Sequence, residues 1–323
     1  MKYRMLGRTG FEVSDIGQGL WGMSGWSDAD QTQARHALQL AIDNGCNFFD
    51  TAWAYGNGQS DGFLGEAMKN NKSKRIYAAS KIPPKNLQWP ALPKYKYSDV
   101  FPADHVFKYA DKIRSQLGVD TIDVLQYHVW DDSWTDEPVF RSTVARLKRE
   151  KLIHAFGLSL NRWEPENGIQ AIRTGLVDVI QVIYNVFDQA PEDKLLPLCK
   201  EMNIGIIARV PFDEGSLGGK MTLETRFPES DWRARYFGEE NLKATIPRVE
   251  KLKREVPPGM TLPEMALRFI LANPTVSTTI PGMRKPDHVR GNIAASDAPP
   301  LSPALLTALK QHRWDRKPRH WSD

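Results

Sequence analysis

Eight short apolar runs, each closed by turn-forming residues, recur along this chain with helical patterns between them. They fall at residues 16–20, 47–50, 75–81, 122–128, 153–158, 179–183, 204–209 and 276–280. Each is too short for a helix and apolar on both faces, as strands of a doubly covered parallel sheet are. Helical periodicity appears at 31–44, 104–117, 137–150, 166–174, 193–202 and 261–272. In the first of these, Ala34, Leu38, Ala41 and Ile42 share one face, Ser27 or Asp28 offers a cap and Gly45 a stop. Alternating strands and helices imply parallel pairing, and eight repeats of the unit imply closure into a (β/α)8 TIM barrel. A doubly wound open sheet is the alternative. Residues 3–6 and 11–13 flank Gly7-Arg8-Thr9-Gly10, which predicts an N-terminal β-hairpin. The expected organisation is one domain over 1–323, with a hairpin cap at 1–15 and a tail at 311–323.

A barrel of this kind commonly uses more than 250 residues as one unit, and the chain has 323. Its 43 basic and 39 acidic residues leave a net charge of +4, scattered in short clusters such as Lys72 to Arg75, which argues against a nucleic-acid surface. No window approaches 18 uninterrupted apolar residues, so no membrane span is expected. Met1 to Gly10 is basic and lacks the apolar stretch of a secretory signal. The only cysteines, Cys46 and Cys199, form no C-x-x-C pair and suggest buried thiols in a reducing, cytoplasmic setting.

Two connections, 82–102 and 211–240, are longer than plain βα loops, and both follow predicted strand C-termini. In a barrel those ends converge on one mouth. Asp50 closes the second strand, Tyr55 stands five residues further on, Lys81 ends the third strand and His128 the fourth. Singly, each has an ordinary reading as a cap, a snorkelling cation or a core histidine. Together they make a proton donor. A tyrosine hydroxyl has a pKa of about 10, and an adjacent ammonium is expected to lower it. Asp50 would hold Lys81 charged, and a neutral His128 would orient a carbonyl oxygen. Gly17-Gln18-Gly19-Leu20-Trp21-Gly22 spells G-x-G-x-x-G, but no helix opens at the third glycine and no acid ends the next strand at the required spacing, so a strand running into a glycine-rich loop is preferred to a dinucleotide fingerprint.

At these residues the chain resembles an aldo-keto reductase along essentially its whole length. Leu6-Gly7-Arg8-Thr9-Gly10-Phe11-Glu12-Val13-Ser14 is similar to the family's N-terminal hairpin. Phe49-Asp50-Thr51-Ala52-Trp53-Ala54-Tyr55-Gly56 resembles its D-T-A-x-x-Y-G signature, and Lys81 and His128 fall where the family has its catalytic Lys and His. The resemblance implies a barrel that binds NADPH extended, without a Rossmann domain. It implies cofactor contacts from Trp21 and Asp50, and from Ser159 and Asn161 of Gly157-Leu158-Ser159-Leu160-Asn161, where Leu160 is inserted relative to the family's G-x-S-N. Gln181 matches the residue that reaches the nicotinamide amide. Arg209, followed by Pro211 and Phe212, replaces the aromatic residue that stacks on nicotinamide. Ser216, Leu217, Gly219 and Lys220 resemble the loop over the pyrophosphate. Gly282, Met283, Arg284, His288 and Asn292 resemble the adenosine site; Arg284 would meet the 2′-phosphate, which favours NADP. His288 and Gly291 depart from the family's usual residues.

The substrate mouth is expected to be aromatic, with Trp21, Trp53, Tyr55, His128 and Trp130 as contacts and Trp26, Trp89, Trp134 and Trp232 nearby. No metal is expected, because no H-x-H occurs on the first strand and His128 has no neighbouring His in sequence, as a barrel hydrolase would need. The resulting expectation is an NADPH-dependent reductase of an aldehyde, ketone or sugar carbonyl. The alternatives are a dehydrogenase that oxidises a sugar or polyol, which Arg209 favours, and a cofactor-binding regulatory subunit like the channel β-subunits that share the barrel. The partner is a small carbonyl or sugar substrate. The tail, with Trp314, Arg319 and Trp321, is read as capping the mouth, meeting a second subunit or fraying. The physiological substrate and the oligomeric state are not encoded in these motifs.

Overall fold

The structure is a computed structural model and describes residues 1–23, 30–319 and 322. Strands β1 (Tyr3–Met5) and β2 (Glu12–Ser14) form the predicted antiparallel hairpin. Eight further strands form one parallel sheet in sequential order: β3 (Gln18–Gly19), β4 (Phe48–Asp50), β5 (Tyr77–Ile82), β6 (Ile122–Tyr127), β7 (Ile153–Ser159), β8 (Val179–Ile183), β9 (Gly205–Arg209) and β10 (Thr278–Thr279). Each lies in or across the edge of one predicted run. Parallel bridges Ile16 to Thr279 and Gly19 to Gly282 join the first and last strands, so the sheet is a barrel and not an open doubly wound layer.

The helices outside it are α1 (Gln31–Asp43), α2 (Gln59–Asn70), α3 (Tyr97–Val100), α4 (Ala103–Leu117), α5 (Pro138–Arg149), α6 (Ile169–Arg173), α7 (Leu195–Glu201), α8 (Trp232–Tyr236), α9 (Glu239–Lys253), α10 (Leu262–Leu271), α11 (Pro286–Asp297) and α12 (Pro303–Lys310). The cap of α1 is Asp30, whose carboxylate accepts from the Thr32 and Gln33 amides; the expected caps Ser27 and Asp28 lie outside the described residues. The expected helices at 166–174 and 193–202 are shorter, because turn geometry occupies their first residues.

Two apolar layers organise the molecule. The larger fills the space between strands and helices. The smaller gathers Phe48, Ala79, Val124, Ala155, Val179 and Ile207 from successive strands with Leu6 and Val13 of the hairpin. This second layer is the floor of the barrel interior, and the hairpin plugs the N-terminal end beneath it. Gly7 makes the plug possible: with φ at +52°, any Cβ there would lie 2.2 Å from the Gly205 nitrogen.

Strand side chains repeat with period two. Two residues beyond the apolar floor, the same inward positions therefore carry Asp50, Lys81, Gln126, Gly157, Gln181 and Arg209. A polar storey thus sits directly on the apolar one, at the C-terminal mouth of the barrel. Gly157 leaves room within it, since a Cβ there would come 2.9 Å from the Gln126 side chain.

Candidate active site

Asp50, Lys81, Tyr55 and His128 come together at this storey. Lys81 Nζ lies 2.5 Å from Asp50 Oδ1 and donates to the Thr51 carbonyl at 2.8 Å and to Tyr55 Oη at 3.5 Å. The other carboxylate oxygen of Asp50 accepts from Gln181 Nε2 at 2.7 Å and from Gln126 Nε2 at 3.3 Å. His128 stands edge-on to Tyr55, ring centroids 5.8 Å apart, and its Nδ1 is buried without a partner. Gln126 had no role in the sequence-based expectation. Its signal was the period-two position beside Lys81, to which it is in register.

The electrostatics follow from burial and charge. Lys81 is fully buried, yet Asp50 and then Tyr55 hold its pKa above the usual lysine value, so it stays charged. Burial, followed by the Lys81 and Arg209 charges, drives the His128 pKa well down, which leaves a neutral imidazole. Tyr55 corrects the expectation that Lys81 would lower its pKa below the ordinary value. Lys81 does pull it down, but burial outweighs the pull and the net shift is upward. Tyr55 therefore keeps its proton at neutral pH.

Aromatic rings line the mouth in sequence. Trp232 lies 4.8 Å from Trp21, Trp21 6.3 Å from Tyr55, and Trp89 5.7 Å from His128, centroid to centroid. Trp89 and Trp232 come from the two long connections, and Trp21 and Trp89 are 39% and 40% exposed. Trp130 and Trp134 do not join them. Both are buried in the layer between strands and helices, where Trp130 packs 4.8 Å from Phe140 and donates to Asp132. Trp130 therefore offers no surface to a substrate. Trp53 faces α4, edge-on to Tyr109 and beneath Lys112. Trp26 lies outside the described residues.

The remaining sequence-predicted positions form two groups. Ser159 and Gln181 are adjacent in register at the ends of β7 and β8. Asn161 is committed elsewhere: its amide donates to the Ala91 carbonyl at 2.9 Å and accepts from the Ala91 amide at 3.1 Å, clasping the 83–96 loop to the barrel. Pro211 and Phe212 lead into a tight turn (Asp213–Gly218) in which Ser216 Oγ donates to Asp213 at 2.7 Å and Leu217 is buried. The second group crosses the barrel seam. Met283 accepts from Gln18 Nε2 at 3.0 Å, and Arg284 leans on Gly22, where a Cβ would meet its Cδ at 2.9 Å. Besides burial, Lys285, Arg284 and Lys220 all press the His288 pKa down, which places three cations around that ring. Asn292 is buried nearby in sequence with its Nδ2 unpartnered. A cationic patch and an orphaned amide suit a phosphate-bearing, purine-bearing cofactor.

The tail docks on its own barrel. The Trp314 amide donates to the Phe187 carbonyl at 2.8 Å, and Arg313 forks onto Asp193. The Arg316 side chain, 3% exposed, ion-pairs with both Asp188 and Asp213 and lies 4.6 Å over Trp163 and over Trp314. Trp321 lies outside the described residues. No described group of His, Cys, Asp and Glu could hold a metal ion, and no described helix is long and apolar enough to cross a membrane. Both cysteines are buried and free.

Comparisons with known proteins agree with this architecture. The NADH-specific methylglyoxal reductase of Escherichia coli is 27% identical over 333 residues, covering 96% of this chain and 98% of that one. A probable voltage-gated potassium channel subunit beta of Arabidopsis thaliana is 29% identical over 337 residues, 96% of each. The solved glycerol dehydrogenase of Gluconobacter oxydans shares the fold, with a TM-score of 0.79 at 23% identity over 96% of this chain and 94% of that one. The model of the aldo/keto reductase family matches residues 15–313, from the first barrel strand into the tail, and on that match the chain belongs to the aldo/keto reductase family.

Proposed function

We propose that this oxidoreductase reduces an aldehyde, ketone or sugar carbonyl to an alcohol with NADPH, Tyr55 acting as the proton donor. The observation that carries this reading is the placement of one buried ammonium, Lys81, between the Asp50 carboxylate and the Tyr55 hydroxyl, with a neutral His128 against the same ring. The residues present fit a nicotinamide cofactor: Ser159 and Gln181 at the mouth, the Ser216 turn, and the Lys220, Arg284 and Lys285 charges with the orphaned Asn292 amide.

When bound, the reduced dinucleotide supplies a hydride. Tyr55, held protonated by burial, gives its proton to the carbonyl oxygen. Lys81 stabilises the phenolate left behind, and Asp50 keeps Lys81 charged and aimed. Gln126 and Gln181 fix the second oxygen of Asp50, so the carboxylate cannot swing away. His128, uncharged, shares in orienting the substrate oxygen. Replacing Tyr55 with Phe is expected to lower turnover by about 10²–10⁴-fold, the usual contribution of a positioned acid. NADPH binding, followed by fluorescence quenching, should persist. Unchanged turnover would overturn the assignment.

The opposite direction, oxidation of a sugar or polyol, is favoured by Arg209. A positive charge beside a pyridine ring disfavours its oxidised, cationic form and pulls the bound equilibrium toward the reduced cofactor. Initial rates in both directions at matched pH separate the two readings.

A further inference from the structure

The long connection that follows β5 hangs on one side chain. Its ends are fixed elsewhere: the Pro83 carbonyl lies 2.8 Å from His105 Nε2, the Lys85 amide donates to the Val100 carbonyl at 2.9 Å, and the Tyr95 carbonyl accepts from Trp134 Nε1 at 2.8 Å. Between Lys85 and Tyr95, among the described residues, its only hydrogen bonds to the rest of the chain are the two that Ala91 makes with Asn161. The Asn161 amide matches both halves of that peptide backbone. Its Oδ1 faces the Ala91 N–H, its Nδ2 faces the Ala91 carbonyl, and Nδ2 also donates to Glu164 Oε2 at 2.8 Å. A carboxylate only accepts, so Glu164 fixes which end of the amide faces which half of Ala91. The preceding residue is tied to the barrel rim. The Leu160 amide donates to the Gln181 carbonyl at 3.0 Å, and the Leu160 carbonyl accepts from Arg209 Nη2 at 2.9 Å. Ala91 and Asn161 are both buried, so water does not readily replace a partner lost from either.

Two residues before Ala91 stands Trp89, whose ring is edge-on to His128 with centroids 5.7 Å apart and planes at 85°. Trp21 flanks Tyr55 in the same way at 6.3 Å. A carbonyl that meets Tyr55 and His128 therefore has an indole next to each of them. Trp89 is 40% exposed, which leaves ring surface for the group attached to the carbonyl. Resting on the reductase reading above, we infer that Asn161 is a positioning residue for substrate selection: its two bonds to Ala91 hold Trp89 against His128, and the wall so fixed favours carbonyls that carry an aromatic group. Asn161 acts through Trp89 and not on the cofactor, although its motif sets it among cofactor ligands. Its two amide hydrogens are committed to Ala91 and Glu164, which leaves no donor for the oxygen of a nicotinamide carboxamide.

The test reads benzaldehyde against propanal, as the ratio of their kcat/KM values with NADPH. Both aldehydes meet the same protein and the same cofactor complex, so the ratio is insensitive to the fraction folded and to cofactor affinity. Trp89→Ala and Asn161→Ala should each lower the wild-type ratio by about 3- to 10-fold, the size of an aromatic pair, mainly through the KM of benzaldehyde. NADPH binding by Asn161→Ala, followed by fluorescence quenching, should stay close to that of wild type. In the double variant the ratio should fall no further than in Trp89→Ala alone, because the clasp acts through that ring. An unchanged ratio in either single variant, additive losses in the double variant, NADPH binding weakened as much as the ratio, or a wild type that reduces other carbonyls but not benzaldehyde overturns the inference. If wild type reduces no carbonyl at all, the reductase reading fails instead. Calorimetric titration with benzamide, an unreactive aryl carbonyl, then still judges Asn161: binding weakened alike in both single variants and the double variant supports the clasp, and binding unchanged in Asn161→Ala or absent in wild type overturns it.

Discussion

Replacing Arg316 with Ala removes one guanidinium from between two buried carboxylates. Arg316 Nε donates to Asp188 at 3.0 Å and Nη2 to Asp213 at 2.6 Å, and all three side chains are nearly inaccessible. Taking one partner from a buried ion pair costs roughly 3–5 kcal/mol, because the charges left behind stay out of water. At roughly 2.1 cal/mol/K of unfolding entropy per residue, a chain of 323 residues loses about 6 °C of Tm for ~4 kcal/mol. The loss should also depend on pH. Burial and the Asp213 charge raise the Asp188 pKa, opposed by Arg316. A carboxyl raised on folding contributes stability that is fully present below its unfolded value and disappears as pH rises through the folded value. Without Arg316 the rise is larger, so the variant should lose less at pH 5 than at pH 8. The turn is affected too. Asp213 and Glu214 hold left-handed backbone at φ of +46° and +57°, a strained conformation for residues with a Cβ, and each is tethered by a guanidinium. Urea denaturation at both pH values gives the energies, and NADPH titration of the variant tests whether the turn takes part in the proposed cofactor binding. Adding Asp188→Asn and Asp213→Asn to the variant should restore much of the stability. A loss below about 1 kcal/mol, or one indifferent to pH, would refute the argument.

Two further substitutions follow from the same reasoning. Lys81→Met should abolish most turnover and also destabilise the fold by roughly 3–5 kcal/mol, since Asp50 is left buried with only amide partners; adding Asp50→Asn should recover the stability, read by urea denaturation, but not the turnover. Arg284→Ala should raise the dissociation constant of NADPH by about 10- to 100-fold, the size of a lost charge-assisted bond to phosphate, while that of NADH, measured by the same quenching titration, moves little.

The barrel was legible because its signals are local. A run such as Val179–Ile183 is apolar on both faces in any context, and the order of eight such runs dictates the topology. Asp50, Lys81 and His128 were legible as strand ends, and Tyr55 as the loop residue that follows one. The period-two rule reached further than it was taken: it places Gln126 and Gln181 beside Asp50. What the pattern could not carry was pairing across the chain. Residue 316 meets residues 188 and 213 only because the barrel sets those loops side by side. Asn161 looked like a cofactor ligand by motif, but the extra Leu160 before it coincides with an amide turned to Ala91. Trp130 looked like a mouth residue by its distance from a strand end, and hydrophobic burial took it into the core. The upward shift of Tyr55 depends on how much water is excluded around it, a quantity that spacing does not encode.

The ring is stitched shut where β3 meets β10, its two shortest staves, by the Gly17 and Gly19 amides donating to Thr279 and Pro281 and the Thr279 amide donating to Asp15. Arg284 reaches across that join to rest on Gly22. Any long molecule gripped by both banks, with one end against Trp21 and the other on Arg284, would add its own contacts to the join. Occupancy would then tighten the whole hoop and not merely one rim of it.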